Sequence, residues 1–157
     1  MDTQSVKRLP QWLVKKMGQP SSIHSIKSVL RSRNLHTVCE SARCPNIGEC
    51  FSKPTATFMI LGDICTRSCC FCSVKKSAPP LAIDPMEHQN IALTAKEMNL
   101  RHVVITSVTR DDLKDFGAGQ FALTIKAIKD TISSISVEVL TPDFKGDKPC
   151  LKIVMDE

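Results

Sequence analysis

Seven of the eight cysteines in this 157-residue chain fall in two short runs, six of them at metal-ligand spacing, and the second run most restricts what the chain can fold into. Cys65-Thr66-Arg67-Ser68-Cys69-Cys70-Phe71-Cys72 carries C-x3-C-x2-C through Cys65, Cys69 and Cys72. It follows directly on a β-type apolar run, Thr55 to Leu61, closed by Gly62-Asp63. Three thiolates on one tight loop can hold three irons of a cubane 4Fe-4S cluster and leave the fourth iron free to bind substrate. Structural zinc prefers four ligands in paired arms, and this loop offers only three at useful spacing unless Cys70 joins them. The spacing therefore favours an iron-sulfur cluster over zinc, with unligated cysteines the third reading.

The first run, Cys39-Glu40-Ser41-Ala42-Arg43-Cys44-Pro45-Asn46-Ile47-Gly48-Glu49-Cys50, gives C-x4-C-x5-C in a loop containing Pro and Gly. It can wrap a second cluster, or form a zinc knuckle completed by His36. Disulfides fit less well. The cysteines are sparser than in small secreted scaffolds and stand at metal-ligand spacing. The start, Met1 to Ser5, lacks an apolar secretory segment, and no run of about 18 apolar residues occurs. These features predict a soluble, cytoplasmic protein that does not enter the membrane. Cys150 has no partner at useful spacing and reads as an idle thiol.

With 42% hydrophobic and 24% charged residues the chain is composed like an ordinary globular domain. The net charge of +5 is uneven: residues 1 to 53 hold nine Lys/Arg against three Asp/Glu, or +6, and the remainder holds −1. Without Tyr and with a single Trp, a stacking surface for nucleic acid is poorly supported, and an acidic protein partner suits the basic front better. Lys7, Arg8, Lys15, Lys16, Lys27, Arg31 and Arg33 are either that steering surface or a solvated face.

Residues 1 to 20 read as an irregular arm anchored by Trp12 and Leu13. Ser21 or Ser22 then caps a helix with Ile23, Ile26 and Leu30 on one face. Asp84-Pro85-Met86-Glu87 predicts a helix start with Asp84 as N-cap, continued by Ile91, Ala95 and Met98. His102 to Val108 reads as a strand buried on both faces. Phe121, Ile125, Ile128 and Ile132 mark a second helix, and Ile135, Val137 and Val139 open a third strand. This alternation predicts parallel β/α units. The 103 residues from Thr55 onward (157 minus 54) allow three units and a short fourth strand near Leu151 to Met155, against about 250 residues for a complete eight-unit barrel. The expected architecture is α/β: an arm and cysteine-rich loop over 1–53, then an incomplete β/α barrel over 54–157. Arg110, Asp111 and Asp112, with Thr106 and Ser107, end the second strand where such folds place ligands, or simply finish it. Glu138 faces either a bound ligand or water. His24, His88 and His102 are isolated and read as surface or packing residues.

The second cysteine run, with Phe71 just before its last cysteine, resembles the radical S-adenosylmethionine (SAM) superfamily. The pair of runs closely resembles lipoyl synthases. So do Asn34 to Phe51, Thr55 to Asp63, His102 to Val108, Arg110 to Leu113 and Pro142 to Asp147, a likeness covering about Arg8 to Asp147. The resemblance implies a SAM-binding 4Fe-4S cluster on Cys65, Cys69 and Cys72 and an auxiliary, sulfur-donating 4Fe-4S cluster on Cys39, Cys44 and Cys50. The implied chemistry is reductive cleavage of SAM to a 5'-deoxyadenosyl radical and insertion of two sulfur atoms at C6 and C8 of an octanoyl-lysine. Implied partners are octanoylated lipoyl carrier domains, those of 2-oxoacid dehydrogenase complexes and the glycine cleavage H protein, and an electron donor such as flavodoxin or ferredoxin. Cys70, Ser73 and Phe116 depart from the family pattern; Phe116 replaces the first glycine of a Gly-Gly-Ala turn and is strained if that turn has a positive φ. The competing expectations are a noncatalytic remnant that binds only a cluster or a carrier protein, suggested by the short chain, and a zinc-binding module.

Overall fold

The computed structural model describes residues 10, 13, 20–51, 55–76 and 79–157. Of the N-terminal arm, Lys7, Arg8, Trp12, Lys15 and Lys16 lie outside the described residues. Leu13 is largely exposed and makes no core anchor.

Among the described residues four strands form one mixed sheet in the order β1-β2-β3-β4: His36–Thr37, Thr55–Ile60, His102–Ser107 and Ser136–Leu140. β2, β3 and β4 are parallel, with Phe58 opposite Ile105 and Ile105 opposite Val139. β1 runs antiparallel to β2, pairing His36 with Met59. The sheet is open rather than closed into a barrel, as the three-unit arithmetic anticipates. Its crossovers are α4 (Glu87–Glu97) between β2 and β3 and α5 (Ala118–Thr131) between β3 and β4.

Side-chain parity divides the sheet. Phe58, Ile60, Val103 and Ile105 point to one face and are fully buried in a core with Ile91 and Ala95 of α4 and Phe121, Ile125 and Ile128 of α5. Each such side chain contributes roughly 1.5–3 kcal/mol by leaving water. Thr57, His102, Val104, Thr106 and Glu138 point to the other face, and those of β3 are only half-buried. The expectation that β3 is buried on both faces is therefore corrected: its burial alternates, because helices cover one face only.

Three other expectations need correction. Helix α1 is Pro20–Ser32, two to three residues earlier than a Ser21 or Ser22 cap allows, since Pro is well suited to a first helical turn. It does bury Leu30. α4 starts at Glu87 rather than just after Asp84, whose carboxylate accepts from the Met86 amide at 2.8 Å and closes a turn ahead of the helix. The tail expected to be a strand is helix α6, Lys148–Met155. Asp147 caps it through the Cys150 amide at 2.9 Å, Pro149 sits in its first turn, and Cys150 and Val154, four residues apart, are the buried pair. Cys150 is thus a core residue.

The cysteine-rich segment expected as a loop holds two single-turn helices, α2 (Val38–Ser41) and α3 (Ile47–Cys50). Thr37 caps α2 through the Glu40 amide at 3.3 Å. Lys27 and Arg31 of α1 pair with Glu40 at 3.7 and 3.8 Å, and Arg33 pairs with Glu97 at 2.5 Å and donates to the Thr94 hydroxyl at 2.8 Å. Part of the basic front is therefore committed to internal pairs.

Candidate functional site

Cys65, Cys69 and Cys72 lie on the loop that leaves the carboxyl end of β2. Leu61 and Gly62 turn the chain there with φ of 69° and 87°. The loop is closed at its base by a bridge between Ile64 and Lys75, by the Cys65 amide donating to the Lys75 carbonyl at 3.0 Å, and by a Lys75–Asp63 ion pair at 2.6 Å. Across its middle the Cys72 amide donates to the Cys69 carbonyl at 3.2 Å, and Lys76 donates to the same carbonyl. Cys65 and Cys72 are half-buried; Cys69, Cys70 and Phe71 are exposed, Phe71 by 88%. The four cysteines are free thiols.

The loop is fastened to the next strand end. The Thr66 amide and hydroxyl both donate to the Thr109 carbonyl at 3.0 Å, and the Asp111 amide donates back to the Thr66 hydroxyl at 3.0 Å. Arg67 spans further. Its Nε and Nη2 donate to Asp111 at 2.7 and 2.9 Å, and its Nη1 and Nη2 donate to Asp143, after β4, at 2.8 Å each. The guanidinium beside them draws both carboxyls below their usual range, Asp143 to about 2, and the two carboxylates hold Arg67 firmly ionised. Sequence reading did not single out Arg67 or Asp143; the available signal was an Arg within the cysteine loop and an Asp just past each of the next two parallel strands.

Arg110 and Asp112 pair with each other rather than facing the loop. Arg110 is buried, donates bidentately to Asp112 at 2.8–3.2 Å and reaches the Leu61 carbonyl at 3.4 Å. Of the proposed polar shell after β3, Asp111 alone joins the cysteine loop. Thr106 donates to the Leu140 carbonyl at 3.0 Å, tying β3 to β4, and the buried Ser107 hydroxyl has no hydrogen-bond partner among the described residues. Glu138 lies on the face opposite the helices, exposed, 3.2 Å from His102. Around the same rim Phe116, Phe144 and Lys145 have positive φ of 53°, 44° and 53°. The strain anticipated at Phe116 is present, and the Lys145 ammonium stands 5.1 Å over its ring. Backbone strain of this kind collects where loops converge on a site.

Cys39, Cys44 and Cys50 are carried by α2, the turn after it and α3, all half-buried. The Cys44 amide donates to the Cys39 carbonyl at 3.0 Å. Burial, then the neighbouring Cys50 and Cys44, raise the Cys39 thiol above its ordinary range. His36 lies elsewhere, in a cavity of about 340 Å³ shared with Asp63, Lys75 and Glu87 and lined by none of the cysteines. Among the described residues no three His, Cys, Asp or Glu side chains converge tightly enough for a single metal ion. A zinc knuckle closed by His36 finds no support. Two separate sets of three free thiols are instead the donor chemistry of iron-sulfur clusters, and they fit that group.

The strand-loop geometry, with its three cysteines at the carboxyl end of the first parallel strand, agrees with the comparison of the sequence. Residues 59–156 match the family model described as the radical SAM superfamily. The chain belongs to the radical SAM superfamily. Residues 1–44, which include Cys39 and Cys44, match the model of the N-terminal domain of lipoyl synthase of the radical SAM family. Similar curated proteins are lipoyl synthases. That of Rubrobacter xylanophilus is 52% identical over 147 residues, 94% of this chain and 46% of the relative. That of Neisseria meningitidis serogroup C is 56% identical over 138 residues, 87% and 42%. Lipoyl synthase 2 of Parasynechococcus marenigrum is 49% identical over 142 residues, 90% and 48%. The chain spans a little under half the length of these relatives. No helix among the described residues is long and apolar enough to cross a membrane.

Proposed function

We propose that this chain carries the SAM-cleaving and sulfur-donating cysteine loops of a radical SAM sulfurtransferase, a lipoyl synthase acting on octanoyl-lysine. The observation that carries the reading is the C-x3-C-x2-C loop at the carboxyl end of β2, where the loops after β3 and β4 also converge. Cys65, Cys69 and Cys72 would hold the SAM-binding 4Fe-4S cluster, and Cys39, Cys44 and Cys50 the auxiliary one. When bound, these groups supply reductive cleavage of SAM, hydrogen abstraction at C6 and C8, and sulfur.

The chain's own residues do the holding and aiming. The Ile64–Lys75 bridge and the Thr66 bonds fix both ends of the cluster loop against β3. The half-buried face bearing Thr57, Val104 and Thr106, opposite the helices, offers the wall against which an aliphatic chain can be shielded from water. Octanoylated lipoyl carrier domains, such as those of 2-oxoacid dehydrogenase complexes and the glycine cleavage H protein, are the proposed substrates. A flavodoxin or ferredoxin is the proposed electron donor, and the cytoplasm the proposed compartment. The division into an arm and auxiliary loop over 1–53 and a β/α portion over 54–157 is part of the same proposal.

Anaerobic reconstitution tests the cluster count. Wild type should take up two clusters' worth of iron and acid-labile sulfide, and replacing either cysteine trio by alanine should remove half. Uptake of zinc in preference to iron, or loss of all iron from either replacement, contradicts it.

A further inference from the structure

The cysteine loop carries a charged side chain that the chemistry of thiolates does not require. Arg67 stands between Cys65 and Cys69 yet directs all three of its guanidinium nitrogens away, into four hydrogen bonds with Asp111 and Asp143. Those carboxylates belong to the loops after β3 and β4, so one side chain joins the ends of all three parallel strands. Its backbone does something different: the Arg67 amide donates to the Cys65 sulfur at 3.4 Å. Lys145 adds a second cation 3.7 Å from Asp111, but its single ammonium cannot replace a planar fork shared by two carboxylates.

We infer that Arg67 is a positioning residue: its double carboxylate clamp locks the cluster loop to the ends of β3 and β4 and thereby holds its own amide on the Cys65 sulfur. The loop half of this inference is a property of the metal-free chain. The sulfur half rests on the proposed cluster at Cys65, Cys69 and Cys72. A hydrogen bond to a ligating sulfur withdraws electron density from the cluster and raises its reduction potential, so losing it moves the potential down.

The test uses the full chain with Arg67→Gln, Arg67→Lys and Asp143→Asn. In the metal-free proteins, amide hydrogen exchange of residues 64–76 should quicken roughly three- to tenfold in the Gln and Lys variants, with exchange in α5 unchanged. Asp143→Asn, at an exposed position, should give the same local pattern at smaller size, and it decides the matter if Arg67→Gln unfolds globally. In reconstituted protein the potential of the cluster at Cys65 should fall in both Arg67 variants. The Lys variant is informative because it keeps the charge and removes the fork. Restoration of both wild-type exchange and wild-type potential by Lys would reduce the effect to charge alone and overturn the inference. Unchanged loop exchange in Arg67→Gln and Asp143→Asn would overturn it too. Quickened exchange in a chain that binds no cluster would uphold the clamp while the functional reading failed.

Discussion

The Glu87 carboxylate accepts the Leu61 amide at 3.0 Å, buried at the point where β2 turns into the cysteine loop. Gln120 of α5 donates to the same oxygen at 3.1 Å. One side chain at the start of α4 thus satisfies the first amide past β2 and a side-chain amide of the neighbouring helix. Burial raises the Glu87 carboxyl above its ordinary range, opposed by those two donors.

Because the folded value is raised, the protonated form contributes stability that is full below the unfolded value of about 4.3 and is lost as pH rises through the folded value. Glu87→Gln, which keeps an acceptor oxygen, should abolish that pH dependence and leave stability at pH 7 equal or higher. Glu87→Leu should cost about 1–3 kcal/mol by orphaning two donors. Urea unfolding across pH 4–8 measures both, and a Gln variant as damaged as the Leu variant contradicts the assignment.

Asp143 has the opposite sign. Its folded value of about 2 lies below the unfolded value of about 3.9, so its pairing with Arg67 stabilises above about pH 4 and is lost as pH falls toward 2. Carboxyl titration by NMR should find Asp143 the more acid-resistant of the exposed carboxylates, and Asp143→Asn should be less sensitive to acid between pH 4 and 2. A normal Asp143 titration is the contrary result.

Gly117 opens α5 at φ 90°, and a Cβ there would stand 2.3 Å from Leu61 Cδ1. Gly117→Ala should therefore destabilise by about 2 kcal/mol or more, from backbone strain and overpacking together. Adding Leu61→Ala should recover the overpacking part and leave the strain, giving a non-additive double-mutant cycle. Additive losses would place Leu61 away from this glycine.

Much of this was legible in the sequence because the signals were local and unopposed. Strand β2 ahead of the cysteines, the α5 periodicity from Phe121 to Ile128 and the order of parallel units all followed from residue spacing. Glu87 was hidden because a capping pattern already accounted for it, while the bond it makes is to the residue just past β2, 26 residues earlier. Helix α6 was misread because Leu151, Ile153 and Met155 alternate like a strand; these are the exposed residues, and the buried Cys150–Val154 pair carries the helical period. Arg67 was overlooked because its partners lie 44 and 76 residues away.

If the basic front guides an acidic carrier domain, binding should weaken as salt rises from 0.1 M, where charges act over about 10 Å, to 1 M, where they act over about 3 Å. The front's +6 over residues 1 to 53 is the motivation, with Lys27, Arg31 and Arg33 already engaged internally. Titration calorimetry with an octanoylated carrier domain reads this, and an affinity constant across that range excludes steering.

The most direct test of the whole account is reductive SAM cleavage by anaerobically reconstituted chain, followed as release of 5'-deoxyadenosine. Cys65→Ala is expected to abolish it and Cys70→Ala to leave it intact, since Cys65 is one of the three spaced thiols and Cys70 is an exposed neighbour outside the set. If Cys70→Ala abolished cleavage as completely as Cys65→Ala, the loop would hold its metal through four thiolates, and the open-iron reading would be wrong.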